Sequence, residues 1–168
     1  MNICDAIVSD FRMEAQSTRR VLEAVPEDKL QWKPHDKSMS LGQLAGHIAE
    51  TPAWIPTMLE DELDFGNVSQ DWQPFVATSR AGLLEAFEKN AGDFEKVLAG
   101  KSDDFMRATW TMRSGEKVLM QAPRHEAIRG TLIHHTIHHR GQLTVYLRLL
   151  GVPVPGTYGP TADVEAFA

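Results

Sequence analysis

Residues 131–151 read TLIHHTIHHRGQLTVYLRLLG, and their period decides the fold. Stepping by three and four from His135 and His139 in both directions passes through Ile128, Leu132, Leu143, Tyr146 and Leu150. All five are apolar or aromatic, so the spacing predicts an amphipathic helix that buries this stripe. Pro123 is a favourable early helical position, Gly151 supplies a C-terminal cap and Pro153 blocks continuation. A helix is expected over 123–150.

Three further segments carry helical spacing. Ile3, Ile7, Phe11, Ala15, Thr18, Leu22 and Val25 recur at three and four, predicting a helix over 3–25 that Pro26 ends. Ser40-Leu41-Gly42-Gln43 has the form of a capping box, opening a helix over 40–60 with Leu41, Leu44, Ile48, Ile55 and Met58 inward. Pro52 and Pro56 lie inside it, so a kink or break near its middle is expected. Leu83, Leu84, Phe87, Phe94 and Val97 mark a third helix over 78–98. The stretch DELDFGNVSQDWQPF reads as a loop with anchored aromatics. Rough alternation in ATWTMRSGEKVLM, with a turn at Arg113-Ser114-Gly115-Glu116, predicts a short β-hairpin or extended arm. Four amphipathic segments with two lengthy connections fit an all-α four-helix bundle with crossover, in a single domain over 1–168.

Composition narrows the function classes. A net charge of −6 and the absence of a basic stripe argue against nucleic-acid binding. No run approaches the length and apolarity of a membrane span, and the N-terminus lacks the layout of a signal peptide, so the cytoplasm is the expected compartment. The one cysteine, Cys4, can form no intrachain disulfide and no Cys-rich zinc site; it reads as a small hydrophobe of the first helix.

Four of the seven histidines, His134, His135, His138 and His139, fall within six residues. Helical residues four apart share a face, so either His135 with His139 or His134 with His138 can present two imidazoles to one ion. The first pair interrupts the apolar stripe; the second lies about 100° away, towards its edge. A buried histidine pair needs partners for its ring nitrogens, either a metal ion or core hydrogen bonds. Two imidazoles alone hold a metal weakly, and His47, beside Ile48 and one turn after Leu44, is the candidate third ligand. With the pair, it makes the three-histidine reading the better one. His35 and His125 read as solvent-facing.

SLGQLAGHIAE, the later HHTIHHRGQLTVYLRLLG and the Trp-x-Pro approach in WKPHDKSMS together resemble the DinB family of bacterial proteins. The resemblance touches three of the four helical regions. It implies a four-helix bundle in up-down-down-up order and a divalent metal, zinc or nickel, held by His47, His135 and His139. It also implies frequent homodimers. Arg140 belongs to the motif and reads as a structural or interface residue; Gln142 reads as a hydrogen-bonding partner of a ligand.

The expected function is a metal-dependent enzyme that activates a thiol or water nucleophile towards a small electrophilic substrate, in the manner of a thiol S-transferase. A low-molecular-weight thiol would be its co-substrate. Glu50 and His138 are the candidate general bases. A metal-dependent hydrolase and a non-catalytic stress-response protein with a structural metal are the alternatives. Closed structural sites take four protein ligands, and three are found here, which favours an open site. DNA binding, prompted only by the family's damage-inducible name, runs against the acidic balance.

Overall fold

The computed structural model describes residues 2–68 and 72–165. Helix α1 (Ile3–Glu23) starts at Asn2, whose side-chain oxygen accepts from the Asp5 amide, and buries Cys4, Ile7, Phe11, Val21 and Leu22. Helix α2 (Leu41–Glu50) opens on a complete capping box. Ser40 Oγ accepts from the Gln43 amide at 3.2 Å, and Gln43 Oε1 accepts from the Ser40 amide at 2.8 Å.

The helix expected over 40–60 is shorter than that. After Glu50 the chain tightens into a 3₁₀ helix, Thr51–Met58. Pro52 and Pro56 each lack an amide donor and disfavour α geometry in the residue before, which accounts for the change. Strand β1 (Glu62–Asp64) comes next, where a loop was expected. Its pairing is sealed by side chains: Arg113 donates to the Glu62 carboxylate at 2.6 and 3.0 Å, and Asp64 accepts from the Gly115 amide at 3.0 Å.

Helix α3 (Arg80–Leu98), capped by Ser79, buries Leu83, Phe87, Phe94 and Leu98. The short α4 (Asp103–Arg107) leads into β2 (Thr109–Ser114) and β3 (Lys117–Pro123). These form the expected hairpin, antiparallel and turning at Gly115, whose φ of +59° suits glycine. With β1 parallel to β2, the sheet has order β1-β2-β3. The molecule is therefore mostly helical with a small sheet, not all-helical.

The final helix also differs from expectation. Instead of one α-helix over 123–150, α5 (Arg124–Ile128) widens into a π-helical segment, Arg129–His134, before α6 (His135–Leu149). Thr131 supplies a cause: its hydroxyl donates to the Ala127 carbonyl at 2.6 Å, competing for the acceptor that an α-helical amide would use. Gly130, a poor helix former, sits in the widened turn.

Helices α1 and α2 each pack against both α3 and α6. Two apolar clusters fill the interior. One gathers Val21, Leu22, Leu44, Ile48, Phe87, Leu143 and Leu147; the other gathers Ile7, Phe11, Ile55, Phe94, Trp110, Ile128 and Leu132. Residues 75–77 lie flat against α2. A Cβ on Gly46 would stand 2.3 Å from the Phe75 carbonyl oxygen, and one on Gly42 would stand 2.9 Å from that of Ala77. The tail after α6 crosses the surface, as its proline and glycine content predicts. Asp163 pairs with Arg148 and accepts from the Val154 amide, and the Tyr158 ring covers the Arg140 guanidinium at 5.0 Å.

Candidate metal centre

The last turn of α2 and the first two turns of α6 bring three imidazoles together. His47 and His135 approach with their Nε2 atoms 2.8 Å apart. Ring centroids are 4.6 Å apart for His47 and His139, and 4.5 Å for His135 and His139. One nitrogen from each ring lies within 4.8 Å of the others, and among the described residues this is the group of metal-ligating side chains that converges. All three rings are half-buried. The Trp54 indole walls the site, 5.4 Å from the His47 ring and 5.8 Å from that of His135.

Each ring has a reason to stay neutral. Burial, and then the neighbouring His139 and His135, push the His47 pKa down to about 4. Burial, then His139 and His138, lowers that of His135. Burial, and then His138, also lowers His139, against the opposing effect of the bond that His139 donates to Gln142. Neutral imidazole is the form that donates a lone pair to a metal.

Gln142 fixes the tautomer of His139. Its Oε1 can only accept, so the 2.8 Å contact with His139 Nδ1 puts the proton there and leaves Nε2 as the lone-pair nitrogen. Two nitrogens on one tetrahedral zinc stand roughly 3.3 Å apart. Spreading the His47–His135 contact by about half an ångström therefore admits a cation. The donor set fits a divalent transition-metal ion.

The other candidate residues lie elsewhere. Glu50 is not drawn into the cluster. Its carboxylate accepts from the Phe75 amide at 3.1 Å and so fastens the 72–77 segment to α2. His134 and His138 are exposed, the latter with its ring 4.9 Å from the His139 ring. His35 is exposed as expected. His125 is not solvent-facing: it is half-buried, with Nδ1 3.0 Å from the Met106 carbonyl oxygen, because α4 packs on α5. Arg140 is structural. Almost fully buried, it donates to the Glu14 carbonyl and the Thr18 hydroxyl and pairs with the Glu14 carboxylate at 2.7 Å.

Beside His139 a groove of about 420 Å³ opens, lined by Ser38, Met39, Leu44, Gln142, Val145 and Tyr146. Sequence reasoning did not find it, since its walls come from three separate segments. No helix among the described residues is long and apolar enough to cross a membrane.

Comparison with known proteins bears on the family and the fold. The chain is 25% identical over 159 residues to the uncharacterized protein YrdA of Bacillus subtilis, covering 95% of this chain and 90% of the relative. It is 28% identical over 148 residues to the uncharacterized protein YjoA of the same organism, covering 86% and 89% respectively. Among solved structures, a DinB-like protein from Bacillus cereus superposes with a TM-score of 0.69 at 24% identity, covering 92% of this chain and 97% of that one. The DinB-like YjoA structure gives 0.67 at 21% identity, covering 90% and 97%. The family model described as the DinB family matches residues 1–165, and the chain belongs to that family.

Proposed function

We propose that His47, His135 and His139 hold one divalent cation, zinc or nickel, at an open site of a metal-dependent enzyme acting on a small molecule. The observation that carries the reading is the number of converging ligands: three neutral imidazoles and, among the described residues, no fourth. A closed structural site takes four. A cation held there supplies Lewis acidity, lowering the pKa of a thiol or water that reaches it.

The chain's own residues define the rest. Gln142 orients His139, Trp54 excludes water from one side, and the groove beside His139 offers apolar walls to the organic part of a substrate. In this reading the nucleophile is a low-molecular-weight thiol and the reaction a thiol S-transfer to an electrophile. His138 is the nearer candidate base, being exposed and against His139, whereas the Glu50 carboxylate is engaged by Phe75. Contacts of α1 and α2 with both α3 and α6 support a four-helix bundle, and the up-down-down-up order belongs to the same proposal. A single free cysteine suits a reducing compartment, so the cytoplasm is the compartment proposed.

Elemental analysis of the purified protein tests the site. One ion per chain is expected, and His135→Ala should lose it; an unchanged stoichiometry in that variant refutes the ligand set. A screen of the loaded protein with common thiols and a chromogenic electrophile tests the reaction. No conjugation, together with unfolding on metal removal, would establish a structural ion instead.

A further inference from the structure

His134 and His138 are left outside the triad, and their placement is specific. The widened π-helical segment ends at His134. From there the backbone is α-helical, with φ/ψ of −64°/−34° at His134 and −62°/−46° at His135. The relation between residues 134 and 138 is therefore an ordinary i, i+4 step, which sets their Cβ atoms about 6 Å apart on one face. Both side chains are exposed.

Other histidine rings are occupied. His35 accepts from the Lys37 amide, His125 meets the Met106 carbonyl, His139 meets Gln142, and His47 meets His135. Among the described residues no side-chain hydrogen bond engages the nitrogens of His134 or His138. Two imidazoles one turn apart on an exposed helix face have the spacing to chelate a borderline divalent ion, with water completing its shell.

We propose that His134 and His138 form a second, weaker, surface site for a divalent transition-metal ion, adjoining the inner triad where the His138 ring meets that of His139. Two ligands rather than three, and full solvent access, make it the weaker site. Nickel is expected to bind there more tightly than zinc, by the usual order of affinity for nitrogen ligands. The assignment does not depend on what the inner ion does.

Equilibrium dialysis of the metal-free chain against nickel chloride, read by elemental analysis, tests it. Wild type should approach two ions per chain in two affinity classes. His134→Ala should lose the weaker class, because removing one arm of a chelate lowers affinity on the order of a hundredfold. The double variant H134A/H138A should retain one tight ion and an unchanged circular dichroism spectrum. Two ions in that double variant, or a single class of one ion in wild type, overturns the outer site. If His135→Ala instead leaves the tight class intact, the inner triad fails while the outer pair stands. Long-range ¹H–¹⁵N spectra of the imidazoles give a second reading: with the inner triad first filled by zinc, added nickel should broaden the His134 and His138 signals most, and broadening confined to other rings refutes the assignment.

Discussion

Arg124 and the histidine triad are both polar groups set against apolar packing, and they are satisfied in opposite ways. The Arg124 side chain is buried, yet the protein answers its charge. Its Nε donates to the Met58 carbonyl at 2.7 Å and Nη1 to that of Phe105 at 2.6 Å. Nη2 reaches the Glu60 carbonyl and the Asp61 carboxylate, and the Phe105 ring lies 4.0 Å from the guanidinium carbon. This arginine ties the end of the 3₁₀ helix and α4 to α5. The triad has no such closure. Three imidazoles face one another, with a 2.8 Å contact between two of them and a bond from the third to Gln142. Polar groups completed by the protein hold the fold, and in the proposed function the three imidazoles are completed by a ligand from outside.

That contrast can be broken at either end. The largest effect is expected from Arg124→Ala, which leaves carbonyls buried without donors and should cost about 3–5 kcal/mol in urea denaturation. A loss below about 1 kcal/mol would mean that water replaces the guanidinium without penalty. Gln142→Ala should leave the denaturation midpoint of the metal-free protein unchanged while weakening metal binding roughly ten- to a hundredfold. Equal affinity in a competition titration would show that the His139 tautomer is not set by this bond.

Acidification separates the two regions next. His47 titrates near pH 4 in the fold and near 6.5 when unfolded, so below pH 6.5 the unfolded chain binds more protons. The stability of the metal-free protein should therefore fall as pH drops from 6.5 towards 4. His47→Ala should flatten that slope in thermal scans, and an equally steep slope would remove His47 as its source. The smallest effect is expected from Asp61→Asn, under about 1 kcal/mol. Its side chain is 93% exposed, and Arg124 keeps its carbonyl partners. A larger loss would make the ion pair, rather than the carbonyls, the anchor.

Much of this was legible in the sequence. The Ser40–Gln43 box opens α2 with both of its hydrogen bonds, the α1 and α3 boundaries lie within two residues of expectation, and the hairpin turns at Gly115. Residue spacing also named the imidazoles that converge. The π-helical segment was not legible, because no periodic signal announces one extra residue in a turn. It rotates the C-terminal remainder of the helix by about 100° relative to an uninterrupted one. Residues Thr136 and Arg140 accordingly take the fully buried positions, and His135 and His139 stand at the rim of the buried face rather than along its centre. That rim position leaves the site half-open. Arg124 escaped notice for a different reason: an arginine at a helix start reads as surface, and the carbonyls that receive it come from segments remote in sequence. Strand β1 is three residues long and depends on Arg113, so its own sequence carries too little period to reveal it.

Gly46 has a consequence larger than its size. The Phe75 carbonyl rests where any side chain at position 46 would begin, and the next residue along is His47. Hydrogen alone at that position sets the gap between α2 and the segment crossing it. Even a methyl group there would wedge the two apart and swing the neighbouring imidazole off its aim, so the reach of one imidazole of the triad is governed by a residue that contributes no side chain at all.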